Sequence, residues 1–393
     1  MKIAVIGLGR AGLPLAGLIA DNGFKVIGVD VDERRCGDIN SGKNPIPEER
    51  GLDKLLEDHG GKNLFATMNY EDAEECNVYI VIVPLFTDKN KNPDFRILED
   101  AFRSIGKILK KCDLVVLETS VPPMTTELSV REWLEEESGL KLGEFYLAYS
   151  PERIMTGYSV SRLKEFPKIV GGVDKESGLN ALEVYRNFVP NLHLVSSARV
   201  AEFIKLIEGC YRDVNIALAN ELFKIANELE IEFYEAREYA NHEYCHIHLP
   251  STGVGGHCIP VYPWFLIKEM EKRGKIGCVR LMRAARELND EMVDYWAERI
   301  VMDCVKIDKR LNEVKICIKG ITFREGVKEL YNSRNLALAR LLMKKGLNVY
   351  VYDELLSKDE IETRGLKWIE AKDADIVFDA FELKFGGWNE RGG

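Results

Sequence analysis

The 393-residue sequence has little of three things that mark particular classes of protein: excess positive charge, long apolar runs and regularly spaced cysteine. It holds 54 Lys and Arg against 64 Asp and Glu, a formal net charge of −10, with no basic block, so nucleic-acid binding is not expected. No apolar run has the length of a membrane span, and "MKIAVIGLG" enters a strand pattern directly, so neither a membrane segment nor a signal peptide is expected. The nine cysteines lack the spacing of a disulfide framework, which indicates reduced thiols and a cytoplasmic location.

Three zones of the chain differ in hydrophobic pattern. Residues 1–195 alternate Val- and Ile-rich runs, such as "KIAVIG" and "LVVLET", with amphipathic segments, a pattern typical of buried parallel strands and crossover helices. Residues 196–305 include "SARVAEFIKLIEGCYRDVNIALANELFKIANELEI", whose three- and four-residue apolar spacing predicts a long central helix. In residues 306–393 the alternation of strand and helix patterns returns, with "EVKICIKGIT" and "NVYVYD" as predicted strands. We therefore predict an α/β protein with two Rossmann-like, doubly wound parallel-sheet domains (1–195 and 306–393) joined by a helical domain (196–305).

The turn "GLGRAG" follows the first predicted strand and opens a helix. Gly7 permits a tight turn, Gly9 the close approach of a pyrophosphate and Gly12 close packing of helix on strand, while the helix N-terminus faces the phosphates. Asp30 ends the second predicted strand, where a carboxylate accepts hydrogen bonds from both ribose hydroxyls and repels a 2′-phosphate. The pattern predicts NAD as the cofactor, although the nearby arginines soften the preference over NADP. We assign cofactor binding to Gly7, Gly9, Gly12, Asp30, Arg35 and Pro84.

One cysteine, Cys258, lies among glycines and prolines in "STGVGGHCIPVYP". Such backbone brings amides close to the sulfur, which suits a carbonyl that becomes an oxyanion, and a neighbouring cation raises the thiolate population. With NAD, this predicts aldehyde oxidation through a thiohemiacetal and a thioester. A buried packing role is one alternative. Another alternative is a metal site, because this part of the chain contains several residues of the types that zinc prefers. Their spacing is not that of a zinc finger, so we do not expect a metal. The residues are His242, Cys245, His246, His248, His257 and Cys258.

An ordered set of motifs resembles a known family over nearly the whole chain. The set comprises "VIGLGRAGLPLA", "NPIPEERGLDKLL", "LETSVPPMTTE", "SPERIMTG", "KIVGGV", "AEFIKLIE…RDVNIALANEL", "GVGGHCIPV" and "RAARELND". In this order and spacing the motifs resemble the nucleotide-sugar 6-dehydrogenases, and "GGHCIPV" is similar to the branch that acts on UDP-2-acetamido sugars. The resemblance implies a homodimer or larger homo-oligomer, joined through the long helix, that performs NAD-linked, four-electron oxidation of a sugar C6 alcohol to the acid. UDP-N-acetylmannosamine is the favoured substrate and UDP-N-acetylglucosamine the next.

The resemblance also implies roles for individual residues. Cys258 captures the aldehyde, Lys205 of "AEFIKLI" stabilises the developing oxyanion, Glu152 of "SPERI" assists thioester hydrolysis and Ser120 of "LETSV" orders a water. Each of the last three has a structural alternative. Lys205 would be a solvated lysine on a helix, Glu152 would form a surface salt bridge, and Ser120 would be a hydroxyl in a turn. Substrate binding is assigned to Arg324, Gly255, Gly256 and His257.

One segment and five single positions depart from the family pattern. The segment "HEYCHIHLPST" lacks the usual "PR" dipeptide and a glycine. Gly209 stands where the family has asparagine, Tyr262 where it has aspartate, Arg324 for lysine, Tyr331 for arginine and Arg334 for proline. Loss of one oxyanion donor typically costs about 10²–10³ in rate, so these changes predict a slow enzyme unless other groups compensate.

Two other functions stay open on the sequence. A catalytically weak or inactive homologue would bind NAD or a nucleotide sugar in a regulatory role, which the five departures favour and the retained Cys258 disfavours. A β-hydroxyacid dehydrogenase also joins a dinucleotide fold to a helical domain, but needs neither that cysteine nor a third α/β zone.

Overall fold

In the computed structural model the chain divides into two compact units, residues 1–207 and 208–393. The structure describes residues 1–153 and 157–386. The letters "IMT" of the motif "SPERIMTG" and the end of the predicted third domain lie outside the described residues. The three-part division of the chain stays a prediction.

The first unit alternates strands and helices along the chain, as the sequence predicted. Its elements are β1 (Lys2–Ile6), α1 (Gly12–Asp21), β2 (Lys25–Val29), α2 (Glu33–Asn40), α3 (Leu52–His59), β3 (Leu64–Thr67), β4 (Val78–Val81), β5 (Phe86–Thr87), β6 (Pro93–Asp94), α4 (Arg96–Gly106), β7 (Leu114–Leu117), α5 (Arg131–Ser138), β8 (Tyr146–Tyr149), α6 (Ser159–Glu165), β9 (Lys168–Gly172), α7 (Lys175–Tyr185), β10 (Leu192–Leu194) and the start of α8 (Ala198–Glu228).

The main sheet of this unit has the order β10-β9-β8-β7-β4-β1-β2-β3. From β3 to β8 all neighbours run parallel, whereas β9 runs antiparallel to β8. Ile3 and Val5 of β1 belong to one apolar cluster and Ala4 and Ile6 to another, so helices cover both faces. The predicted doubly wound architecture is confirmed. The chain reverses its strand order between β1 and β4, which is where open sheets of this kind bind ligands.

The second unit contains a smaller sheet and several helices. After the rest of α8 come α9 (Phe233–Ala240), α10 (Tyr262–Lys272), α11 (Arg280–Val305), β11 (Lys315–Lys319), α12 (Arg334–Lys344), β12 (Asn348–Tyr352), α13 (Lys358–Glu362), β13 (Ile376–Asp379) and β14 (Lys384–Gly386). The sheet order is β12-β11-β13-β14, with only β14 antiparallel to its neighbour. Ile316 and Ile318 pack with Trp296 and Ile300 of α11 on one face, and Cys317 belongs to a small cluster on the other.

The long helix α8 runs without interruption for 31 residues, which confirms the predicted central helix. One of its faces exposes large apolar side chains at spacings of four or seven positions, so they form a single stripe. We call this the α8 stripe; it consists of Phe203, Ile207, Tyr211, Leu218 and Ile225. Within the described ranges, no helix combines the length and the apolar character needed to span a membrane.

Candidate active site

The glycine turn after β1 is closed on one side and open on the other. A Cβ at Gly12 would lie 1.8 Å from the carbonyl oxygen of Gly7, and a Cβ at Gly7 (φ +94°) would lie 2.9 Å from that of Ile82. By contrast, a Cβ at Gly9 would meet nothing within 4 Å. The turn is therefore packed against the sheet but leaves room above Gly9 at the N-terminus of α1, which fits a pyrophosphate.

Asp30, at the end of β2, is the carboxylate expected to bind a ribose. Its Oδ2 accepts a hydrogen bond of 2.8 Å from the backbone N–H of Leu8, and its Oδ1 lies 2.9 Å from Nη1 of Arg35. Arg35 thus partly neutralises the carboxylate, as its position in the sequence suggested. Pro84 is exposed, two residues beyond the carbonyl that approaches Gly7. The residues present fit an NAD-type dinucleotide.

Lys205 and Glu152, far apart in the sequence, come together in the first unit. The Lys205 ammonium donates to the Glu152 carbonyl and lies 3.8 Å from the Glu152 carboxylate. Their side chains are only 11% and 18% exposed, so Lys205 is not a solvated helix lysine. A positive charge held beside a carboxylate suits the stabilisation of an oxyanion and the activation of a water.

A buried ion pair beneath Glu152 was not found from the sequence. Lys168 Nζ lies 2.6 Å from Glu118 Oε2, the Tyr185 hydroxyl donates to the same carboxylate, and the Glu118 carbonyl accepts from the N–H of Glu152. Burial raises the pKa of Tyr185 well above its ordinary value, so its proton stays on the phenol. The only signal in the sequence was a charged residue at each of two otherwise apolar strands, "LVVLET" and "KIVGGV".

Ser120 follows β7 and is half-buried. The preceding hydroxyl, that of Thr119, donates a 2.6 Å hydrogen bond to the carbonyl of Val83, two residues after β4. Thr119 thereby fixes the strand end from which Ser120 projects. The role of Ser120 in ordering a water stays a prediction.

The Cys258 loop lies in the second unit, and Cys258 is an exposed free thiol. Its glycines are required by packing: a Cβ at Gly255 would lie 2.7 Å from the carbonyl oxygen of Asn332, and one at Gly256 (φ +84°) would lie 2.9 Å from the Phe323 ring. The Asn332 amide also donates 3.2 Å to the Gly256 carbonyl. Residues 323–332 therefore hold the backbone beside the thiol.

His257 and Tyr331, one of the departures, form a stacked pair. Their ring centroids lie 3.9 Å apart with planes at 1°, and His257 Nε2 lies 2.6 Å from Oε1 of Glu329. The Arg324 guanidinium lies 5.8 Å from the centroid of the Phe323 ring. The segment that touches the loop glycines thus also fixes the imidazole next to Cys258.

Gly209 and Tyr262, two further departures, are in contact. A Cβ at Gly209 would lie 2.5 Å from Cδ2 of Tyr262, so the ring fills the space that a side chain at 209 would need. Tyr262 is 8% exposed, and its N–H donates 3.0 Å to the carbonyl of Cys258. The sequence indicated two separate losses of a polar group. In the structure the two positions are in contact, and the Tyr262 ring occupies the space beside Gly209.

Arg334, the fifth departure, ties the Cys258 loop to a buried ion network. Its guanidinium pairs with Asp290, and its Nε donates 3.2 Å to the Val254 carbonyl. Arg286 contacts both Asp290 and Asp213 at 2.5 Å. Burial raises the pKa of Asp213 and lowers that of Arg334 to about 10, which leaves the arginine charged at neutral pH. Residue 334, where a proline was expected, is thus an arginine that fixes the Cys258 loop through these contacts.

The histidine-rich segment before the loop shows packing between its side chains. The His246 and His248 rings lie 5.5 Å apart in an edge-to-face arrangement, and burial lowers the pKa of His248. Among the residues described, no three His, Cys, Asp or Glu side chains are placed to share a metal ion.

Comparison with known proteins gives consistent matches along the chain. Residues 1–189 match the NAD binding domain of the UDP-glucose/GDP-mannose dehydrogenase family, and residues 199–291 match its central domain. A UDP-N-acetyl-D-mannosamine dehydrogenase of Pyrococcus horikoshii is 35% identical over 100% of this chain and 92% of its own. The structure of UDP-D-ManNAc dehydrogenase from that organism has a TM-score of 0.87 at 33% identity, covering 97% of this chain and 89% of its own. The UDP-N-acetyl-mannosamine dehydrogenase Cap5O of Staphylococcus aureus has a TM-score of 0.84 at 31% identity, with coverage of 97% and 89%.

Proposed function

Because the chain belongs to the UDP-glucose/GDP-mannose dehydrogenase family and contains its NAD-binding domain, we propose that it oxidises the C6 alcohol of a UDP-2-acetamido sugar to the uronic acid. The protein is an NAD-dependent oxidoreductase. The observation that carries the proposal is Cys258, an exposed thiol on a loop whose glycines admit no side chain. UDP-N-acetylmannosamine is the favoured substrate, since the relatives and structures reported above bear that sugar in their names.

Gly9, Asp30 and Arg35 would hold NAD, which would accept one hydride from C6 in each of two oxidations, while the hydroxyl proton of the alcohol leaves to solvent in the first. After the first oxidation the Cys258 thiolate attacks the C6 aldehyde, forming a C–S bond and an oxyanion. The second oxidation leaves a thioester. Water then attacks its carbonyl, the C–S bond breaks, and the sulfur returns as thiolate with the carboxylic acid released.

The other groups support these steps. Lys205 supplies the positive charge that stabilises the oxyanion, and Glu152 together with Ser120 orients the water that attacks the thioester. His257, Gly255 and Gly256 shape the loop around the reacting carbon, and Arg324 supplies positive charge for the phosphates of the nucleotide.

Product stoichiometry tests this function. We expect about two NADH per sugar with UDP-N-acetylmannosamine or UDP-N-acetylglucosamine, a slower reaction or none with UDP-glucose, and the uronic acid by mass spectrometry. One NADH per sugar with an aldehyde product would contradict the thioester route. Binding of NAD and a UDP-sugar without turnover of any of the three would identify a non-catalytic binding protein instead.

We also propose that the chain forms a homodimer through the α8 stripe. Its five apolar side chains are between 42% and 58% exposed, and an exposed apolar stripe of this length on one helix is typical of a protein–protein interface. Leu218→Glu together with Ile225→Glu is expected to convert a dimer to a monomer, halving the mass found by light scattering. Ile97→Glu on α4, a residue of similar exposure, is the control and is expected to stay dimeric. A monomeric wild type, or a dimeric double variant, would contradict the proposal.

We place the enzyme in the cytoplasm. All nine cysteines are free thiols, which persist in a reducing compartment. Fractionation of cells that express the chain checks this location, and recovery from a secreted fraction would contradict it.

A further inference from the structure

A buried carboxylate lies one helical turn before Lys205. Glu202 of α8 is 0% exposed. Its oxygens accept hydrogen bonds of 2.6 Å from the N–H of Met124, 2.8 Å from the N–H of Thr126 and 2.6 Å from the Thr126 hydroxyl. None of these three partners lies on α8, so the carboxylate joins the helix to a distant segment of the chain.

That segment is the turn after β7, residues 118–126, which carries Ser120. Within it Met124 has φ +77°, in the left-handed region that residues other than glycine rarely adopt. Thr126 opens the helical turn Thr126–Val130 that leads into α5, and its N–H needs a partner outside that turn. Glu202 accepts from both N–H groups and thereby holds the backbone in this conformation.

Neighbouring residues of α8 make two further contacts with functional segments of the first unit. Arg199 Nε lies 3.1 Å from Oε2 of Glu127, immediately after the turn, and Lys205 donates to the carbonyl of Glu152. Residues 199, 202 and 205 are three positions apart and therefore neighbours on the helix surface. One helix face thus contacts both the Ser120 turn and the Glu152 segment.

We propose that Glu202 is a positioning residue: its carboxylate fixes the turn that carries Ser120 to the helix that carries Lys205, so the two groups keep a constant separation. The inference rests on the proposed function for its effect on catalysis. Since Glu202 is fully buried, it acts through the turn and does not touch substrate. Reaction rates are sensitive to such placement, because a displacement of about 1 Å can cost about 10² in rate.

Glu202→Gln tests the proposal because it keeps the shape of the side chain but offers one acceptor oxygen instead of two. The NH₂ group of the glutamine then faces a backbone N–H from which the carboxylate accepted a hydrogen bond in the wild type. Burial raises the pKa of Glu202 to about 7, so ionisation of this carboxyl opposes folding at neutral pH, and a neutral amide avoids that cost while losing one accepted hydrogen bond. We therefore expect the melting temperature to stay within about 3 °C of the wild type, a shift typical of a small change in stability.

The expected result has two parts. With NAD and UDP-N-acetylmannosamine, kcat of Glu202→Gln falls by about 10- to 100-fold while both KM values stay within about twofold, since only placement changes. Amide hydrogen exchange of peptides covering residues 119–127 becomes at least about tenfold faster, with other peptides unchanged. Glu135→Gln is the matched control, because Glu135 also accepts a hydrogen bond from a backbone N–H, that of Leu142. This variant is expected to keep the wild-type kcat and the wild-type amide exchange.

Wild-type exchange in residues 119–127 of Glu202→Gln would overturn the proposal, and so would faster exchange with unchanged kcat. If Glu202→Gln fails to fold, Thr126→Val, which removes one donor and leaves the carboxylate, must show the same changes at smaller size, with Thr126→Ser restoring both. A wild type without turnover would refute the proposed function, and the exchange measurement would still decide whether Glu202 holds the turn.

Discussion

Cys258→Ser is expected to end acid formation, with a fall of at least about 10³-fold in kcat for the second NADH. A serine hydroxyl at neutral pH is a far weaker nucleophile than a thiolate, and it cannot form the thioester that the second oxidation leaves. The KM for NAD should change little, since Gly9, Asp30 and Arg35, the residues assigned to the cofactor, are unchanged in this variant. Stopped-flow absorbance of NADH, with the product identified by mass spectrometry, measures both quantities.

Cys278→Ser is the matched control for this variant. Cys278 is also an exposed free thiol of the second unit, and no candidate site includes it. Wild-type stoichiometry is expected for the control. Two NADH per sugar from Cys258→Ser would show that the sulfur is not the nucleophile, and the aldehyde would then have to be oxidised as its hydrate.

Gly209→Asn is expected to damage the same loop through the Tyr262 ring. The new Cβ would lie 2.5 Å from Cδ2 of Tyr262, so the ring must move, and the N–H of Tyr262 is bonded to the carbonyl of Cys258. We expect a loss of about 1–3 kcal/mol in the free energy of unfolding, as for other overpacked sites. A shift of the thiol by about 1 Å would lower kcat by about 10²-fold.

Combining Gly209→Asn with Tyr262→Asp tests whether the two positions are coupled through the packing of their side chains. Tyr262→Asp alone leaves a cavity and a buried carboxylate, and is expected to cost about 3 kcal/mol or more. Together with Gly209→Asn it restores a polar pair in the same space, so the two losses should not add, with a coupling energy of about 0.5–3 kcal/mol. Urea unfolding and kcat of all four proteins measure this.

Gly37→Asn controls for a new asparagine in a helix. Gly37 lies in α2, and a Cβ there would meet nothing within 4 Å. Its free energy of unfolding should stay within about 0.5 kcal/mol of the wild type, as for most surface changes. Strictly additive losses for the two variants at 209 and 262 would show that these positions are independent.

The sequence predicted features that depend on local pattern. The glycine turn, the alternation of strands and helices and the 31-residue helix α8 each follow from the spacing of residues that are neighbours along the chain. The contact between Lys205 and Glu152 joins residues 53 positions apart, so their candidacy came from family resemblance and their proximity only from the fold.

The features that the sequence did not reveal are contacts between distant segments. The Lys168–Glu118 pair, the Gly209–Tyr262 contact and the Arg334–Asp290 bridge each join different elements. A charged residue in an apolar strand, or an arginine at a position that usually holds proline, signals that something is unusual. It does not say which partner will satisfy the charge, since that depends on how the elements pack.

The fit of Tyr262 over Gly209 makes the two positions depend on each other when either one changes. With any side chain at 209 the ring has no space, whereas a small or polar residue at 262 leaves room beside glycine. Each position therefore limits what the other can accept: tyrosine at 262 requires glycine at 209, and a side chain at 209 requires a smaller residue at 262. A single change at either position is expected to be destabilising, so sequence variation at this loop should occur at both positions together.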